Sequence, residues 1–415
     1  MGATLGSSPR TAARATPPAA WSALMLRPVS AGIISGLVAF TSSFVVVLAG
    51  LEAVGASPAQ AASGLLAVSV LMGLCSMLLS LRTRLPITVA WSTPGAALLA
   101  ATGAVDGGWP AAVGAFVLVG VLIVLTGLVP ALGALMARIP TPIAQAMLAG
   151  VLFQLRLGPV LGVAANPLAV APVIVVWALA QRLSPRWASP LAFLAASVVI
   201  VVSLTAAPSP SAAPPLLPAV ELTVPTLTVG AGVGVALPLY LVTMAAQNVP
   251  GVAVMRSLGY EVPWRASMVT TGLGTMIGAP IGGHGVNLAA ITAALAAGPE
   301  AGEDRQRRWI ASTASGVVLV LCGLGATAFA QLIALAPEGV IPAVAGLALL
   351  GTFVASLRSA LAEPEEQLPA GVTVLIAASG IAVAGISAAF WALLVGLALG
   401  ALLRAGRRTG SAHSG

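Results

Sequence analysis

Two stretches decide the reading of this chain: Leu85-Pro86-Ile87-Thr88-Val89-Ala90-Trp91-Ser92-Thr93-Pro94-Gly95-Ala96-Ala97-Leu98-Leu99 and Ile277-Gly278-Ala279-Pro280-Ile281-Gly282-Gly283-His284-Gly285-Val286-Asn287-Leu288-Ala289-Ala290-Ile291. Each opens with an extended or glycine-rich run and then turns into a helix of small residues. In the first, Ser92 or Thr93 is placed to cap a helix, with Pro94 near its first position. In the second, Gly278, Gly282, Gly283 and Gly285 make an unbroken helix costly, and Asn287 is expected to cap a half-helix running to Ala297.

The surrounding sequence places both stretches in lipid. Of 415 residues, 59% are hydrophobic and 7% charged, and the mean hydropathy is +1.05. Soluble domains carry roughly 25% charged residues, so membrane lipids must be the solvent here. Apolar runs fall near 30–51, 58–80, 86–103, 109–129, 140–155, 166–181 and 188–206. After a Pro/Ser-rich linker they resume near 228–250, 265–280, 281–297, 309–333, 339–357, 370–386 and 388–403. The count is fourteen, with twelve as the rival because 86–103, 140–155 and the pair 265–297 are short or broken. All eighteen basic residues are Arg. Threading fourteen spans from a cytoplasmic N-terminus puts every Arg except Arg156 on the cytoplasmic side, as the positive-inside rule requires.

The expected fold is therefore an all-α polytopic membrane protein of fourteen transmembrane segments in a 7+7 inverted repeat, with segments 3 and 10 interrupted. The expected divisions are a cytoplasmic tail 1–27, a first repeat 28–206, a periplasmic linker 207–225, a second repeat 226–404 and a second cytoplasmic tail 405–415. Non-helical backbone at membrane depth is tolerated only where protein or a wet cavity satisfies it. In inverted-repeat carriers such breaks mark the substrate site near the midplane. Helix N-termini there favour an anion.

The candidate substrate-binding residues are Ser43, Phe44, Trp91, Ser92, Thr93, Gln247, Asn248, Gly283, His284, Gly285 and Asn287. Trp91 or Phe44 would stack on an aromatic ring. Gln247 and Asn248 are amides inside an apolar run, where buried amides need partners. None of the eleven acidic residues lies well inside a span. His284, with an ordinary pKa near 6.5, is the candidate for proton coupling or anion binding. Scattered Arg without interleaved aromatics gives no nucleic-acid footprint. Cys75 and Cys322 read as buried small hydrophobes. No cofactor or metal is expected, and no nucleophile–base pair, metal cluster or phosphate loop suggests an enzyme.

The stretch from Leu85 to Ala96, the run Gly282–Ala294, and Gln247-Asn248-Val249-Pro250-Gly251 followed by Gly259-Tyr260 resemble the benzoate/proton symporter (BenE) family over about residues 25–405. The resemblance implies a bacterial inner-membrane carrier that imports benzoate with protons, both termini in the cytoplasm. More distantly the pattern is similar to nucleobase permeases and sulfate/bicarbonate transporters. That likeness implies a core of spans 1–4 and 8–11, a gate of spans 5–7 and 12–14, and by analogy a homodimer. Nucleobase permeases carry carboxylates on spans 8 and 10. The nearest positions here are Gln247 and the Val286–Asn287 pair, which favours a carboxylate substrate. A nucleobase or inorganic anion carrier, or an anion channel, is the alternative.

Overall fold

The computed structural model describes residues 18–205 and 219–411, apart from 291, 382, 384 and 385. The first half runs α1 (Pro18–Thr41), α2 (Phe44–Ala53), α3 (Pro58–Thr83), β1 (Val89–Trp91), α4 (Thr93–Thr102), α5 (Gly108–Leu128), α6 (Pro130–Ala137), α7 (Thr141–Arg156), α8 (Gly158–Ala165), α9 (Pro167–Leu183) and α10 (Ala188–Thr205). The second runs α11 (Val229–Ser257), α12 (Trp264–Gly278), β2 (Val286–Leu288), α13 (Ala293–Ala297), α14 (Trp309–Leu324), α15 (Ala326–Ala334), α16 (Val340–Ala360), α17 (Gln367–Ser379) and α18 (Ala388–Ser411).

Among the described residues, nine helices are long and apolar enough to cross a membrane. The other five expected positions hold three shorter helices (α9, α12 and α17) and the two broken segments β1–α4 and β2–α13. Several expected boundaries shift. Residues 18–27 already belong to α1, so the described part of the expected first tail is helical, and residues 1–17 lie outside the described residues. Residues 206–218 of the linker region also lie outside them. Residues 219–228 run extended over the bundle, with Thr223 N–H on the Pro280 carbonyl (2.8 Å) and Thr226 N–H on the Pro110 carbonyl (2.9 Å). The span expected over 370–386 ends as helix at Ser379, because Gly380 takes a left-handed conformation (φ +66°). Arg156, expected outside the membrane, sits where α7 meets α8, deep in the helix pair Thr141–Ala165, and is only 8% exposed.

The two interrupted stretches meet. β1 and β2 pair antiparallel, with Val89 opposite Leu288, Ala90 opposite Asn287 and Trp91 opposite Val286. The pairing continues beyond both strands through Ala289 N–H to the Thr88 carbonyl (3.0 Å) and Ser92 N–H to the Gly285 carbonyl (3.2 Å). A two-stranded ribbon has two open edges, and in an apolar medium each unpaired edge group is expensive. Hydroxyls from neighbouring helices close them. Val89 N–H donates to Ser76 Oγ on α3 (2.8 Å), and that hydroxyl donates to the Val89 carbonyl (3.3 Å). Val286 N–H donates to Thr275 Oγ1 on α12 (3.0 Å), and that hydroxyl donates to the Thr271 carbonyl (2.9 Å). The first residue of each strand is thus held by a hydroxyl on the helix that precedes it, the same device in both halves.

Asn287 sits in β2 and does not cap α13, correcting the expected half-helix. Five residues of helix remain, starting at Ala293, because the strand pairing consumes the preceding backbone. Gly282 carries the strict backbone requirement: its φ is +99°, and a Cβ there would approach the Gly64 Cα to 3.0 Å. A Cβ on Gly285 would meet only the Ser92 Cβ, at 3.9 Å.

Replacing Thr275 with Val keeps its shape and strands the Val286 N–H. It should lower the stability of the detergent-solubilised protein by about 1–3 kcal/mol, with Ser76→Ala similar. Thermal unfolding followed by tryptophan fluorescence measures both; unchanged midpoints would remove the hydroxyls from this role.

Candidate substrate site

The ribbon fixes α4. Ser92 Oγ accepts the Gly95 N–H (3.1 Å) and pairs with Thr243 Oγ1 on α11 (2.7 Å), while the Ser92 carbonyl takes the Ala96 N–H (2.7 Å). Ser92, one of the two candidates the sequence offered, is therefore the N-cap, with Thr93 the first helical residue and Pro94 the second. The Thr93 N–H thus has no helical partner at the positive end of the helix, and Pro94 brings no N–H of its own. The first span is broken at residues 42–43, between α1 and α2. The break turns Ser43 toward Thr93: the two hydroxyls are 3.0 Å apart, and Trp91 Nε1 donates to Ser43 Oγ (2.8 Å).

On α11 the turn Met244–Asn248 is π-helical. Such insertions concentrate at functional sites, and nothing in the residue pattern announced this one. The wider turn separates the two amides. Asn248 Oδ1 accepts the Leu288 N–H (2.9 Å) and is fully buried, tying α11 to β2. Gln247 faces a cavity and has no side-chain hydrogen bond among the described residues.

That cavity has a volume of about 430 Å³, within the range of small-molecule sites. Ser43, Trp91, Thr93 and Gln247 line one wall, and Leu148 and Leu152 of α7 with Leu349 and Thr352 of α16 line the other. Among the described residues, no Asp or Glu lines it. Gln181, Arg186 and Ser189 stand at its mouth, where Arg186 pairs with the exposed Glu300 (3.5 Å). Sequence reasoning missed these mouth residues because Arg186 reads simply as a cytoplasmic charge. It also missed the opposing leucines, which are indistinguishable from packing residues.

The remaining candidates lie behind this cavity wall. Asn287, with its amide oxygen toward Ser92 N–H (2.9 Å) and its nitrogen toward the Leu288 carbonyl (2.9 Å), fastens the ribbon. His284 is fully buried, with Nε2 3.1 Å from the Ser92 carbonyl and its ring edge-on to Phe116. Neither His284, Gly283 nor Gly285 lines the cavity. From this position His284 positions the end of β1 and the start of α4. Phe44 does not offer a stacking face to the cavity either. It packs with Phe40 (5.1 Å), Phe193 (5.0 Å) and Phe329 (5.4 Å) in an aromatic cluster. Beyond the cluster lies a second cavity of about 670 Å³, lined by Val45, Leu48, Glu52, Thr327, Gln331 and Ile341 among others.

The fold is similar to that of solved anion transporters. The transmembrane domain of a cyanobacterium bicarbonate transporter, BicA, matches with a TM-score of 0.60 at 17% identity, over 90% of this chain and 98% of that one. The murine Slc26a9 anion transporter in the inward-facing state matches with a TM-score of 0.56 at 14% identity, over 97% of this chain and 74% of that one. Both are transporters of inverted-repeat architecture. In sequence, the chain is 36% identical to the inner membrane protein YdcO of Escherichia coli over 366 residues, 88% of this chain and 93% of the relative. It is 30% identical to the benzoate membrane transport protein of Acinetobacter baylyi over 367 residues, 88% and 92% of the two chains. The family model for the benzoate membrane transport protein matches residues 23–402. The chain is a membrane transporter belonging to the benzoate membrane transport (BenE) family.

Proposed function

We propose that this protein imports benzoate, or a closely related aromatic monocarboxylate, together with protons across the bacterial inner membrane by alternating access. In this reading the chain crosses the membrane fourteen times in a 7+7 inverted repeat, with both termini in the cytoplasm. One observation carries the substrate class: the uncommitted Thr93 N–H at the start of α4 opens, beside the uncommitted Gln247 amide, into a cavity without carboxylates. A carboxylate there meets a helix N-terminus and an amide donor, and an aromatic ring meets Trp91 and the leucines of α7 and α16. A nucleobase with N–H donors finds no fixed acceptor charge. The Acinetobacter relative, named for benzoate transport, supports the same substrate.

Two cavities support the alternating-access reading. The inner one opens beside Arg186 and Gln181, on the side that the Arg distribution places in the cytoplasm. The outer one is separated from it by Phe40, Phe44, Phe193 and Phe329, packed with ring centroids 4.9–5.9 Å apart. The conformation is then open inward and closed outward. His284 serves to hold the strand ends together, and the proton enters as part of the coupled cycle.

Proteoliposomes should accumulate labelled benzoate when an inward proton gradient is imposed, and a protonophore should abolish the accumulation. Neutral benzamide should neither compete nor be carried. Gln247→Leu removes one donor to a charged group, worth about 1.5–3 kcal/mol, so KM should rise roughly tenfold to a hundredfold. Equal competition by benzamide, or an unchanged KM in Gln247→Leu, would place the carboxylate elsewhere. A cysteine at Ser189, in a Cys75→Ser/Cys322→Ser background, should react with a membrane-impermeant maleimide only from the cytoplasmic side. Labelling from the periplasm would reverse the orientation.

A further inference from the structure

Arg156 is the last residue of α7, inside the helix pair Thr141–Ala165, and it is 8% exposed. Its Nη1 donates to the Gly346 carbonyl of α16 (2.8 Å), and its guanidinium carbon lies 5.9 Å from the centre of the Phe353 ring. Its Nε and Nη2 are buried without any partner, and no carboxylate pairs with it among the described residues. A cation at membrane depth with two stranded donors is expensive, and such residues face a partner or a pathway. Binding one backbone carbonyl does not need a charge and uses one of five N–H groups.

The position of Arg156 relative to the substrate cavity supplies the partner. Leu148 and Leu152 line that cavity, and Arg156 continues the same i, i+4 row one turn further along α7. On α16, Leu349 and Thr352 line the cavity, and the two residues that touch Arg156, Gly346 and Phe353, are their near neighbours. The backbone of Arg156 therefore lies one step of that row, about 6 Å along α7, beyond Leu152. It lies away from the mouth at Arg186 and toward the end of α7–α8 that the Arg distribution places outside.

We propose that Arg156 is a second anion-binding position, which takes the carboxylate of the transported acid when the β1–β2 crossing and α4 have shifted along α7 by about one turn. This rests on the aromatic-carboxylate reading above. The two stranded N–H groups, Nε and Nη2, form the side of a guanidinium that binds a carboxylate with two parallel bonds. In the inward-open arrangement the carboxylate sits at Thr93 and Gln247. In the other arrangement the opposite wall contributes Arg156, so the anion exchanges one set of donors for another and is not stripped bare in between.

Two substitutions separate this role from a structural one, each assayed in proteoliposomes beside the wild type. Arg156→Gln keeps an N–H donor for the Gly346 carbonyl but has no charge; Arg156→Met has neither. Replacing an unpaired buried charge with an apolar chain of similar length is often neutral or stabilising, so both variants should melt no lower than the wild type. Both should lose benzoate uptake by about tenfold or more while benzoate still raises the melting temperature through the inner site. Wild-type uptake by Arg156→Gln would make Arg156 a tether only and overturn the proposal. So would wild-type uptake that vanishes in chloride-free gluconate medium and returns with chloride, because a free halide would then be the occupant. Wild-type vesicles that carry no benzoate contradict the aromatic-acid reading and this proposal with it; wild-type uptake with an unaffected Arg156→Gln contradicts this proposal alone.

Discussion

Everything about the site follows from six residues of extended backbone held inside a membrane protein. Lipid offers no hydrogen bonds, so β1 and β2 can exist only if every edge group finds a protein partner. Strand pairing satisfies the inner edges. Ser76, Thr275, Asn248 and Asn287 satisfy or fasten the outer ones, and the His284 imidazole reaches across to the Ser92 carbonyl. Most of the polar residues buried around the crossing are committed to backbone. Thr88 Oγ1 and His284 Nδ1 are buried there without a partner among the described residues, while the uncommitted Thr93 N–H and Gln247 amide belong to residues that line the cavity.

This division of labour explains why a polar ring in the sequence becomes two layers in the structure. Ser92, Asn248, His284 and Asn287 build the crossing. Ser43, Trp91, Thr93 and Gln247 present it. The opposite wall is apolar, from α7 and α16, and the buried Arg156 follows Leu152 one step along α7. The proposed aromatic-acid substrate has a polar end and an apolar body, and these two walls would match one each.

Much of this was legible in the residues. Low charge and long apolar runs require lipid as solvent, and the glycines and prolines at 86–95 and 278–285 require broken helices. A cap at Ser92 or Thr93 followed from Ser-Thr-Pro-Gly, since those residue types terminate extended chain and start helix; the choice of Ser92 did not. Three things were not legible. The strand pairing depends on two segments about 200 residues apart meeting in register, which local pattern does not encode, and it displaced Asn287 from the expected cap. The π-helical turn at Met244–Asn248 has no compositional mark, so the separation of Gln247 from Asn248 was hidden. Arg156 read as an outside charge because a sequence shows spacing along a helix but not the depth at which two helices cross.

The central claim is that the carboxylate of the substrate lies at the start of α4, against the β1–β2 crossing. The most direct measurement is a structure of the protein with bound 4-iodobenzoate, located by the anomalous signal of iodine. The account predicts the carboxylate within hydrogen-bond distance of the Thr93 N–H and the Gln247 amide, with the iodine between Trp91 and the leucines of α7 and α16. Iodine in the outer cavity beside Glu52, or a carboxylate turned toward the mouth at Arg186 with Thr93 and Gln247 untouched, would contradict it.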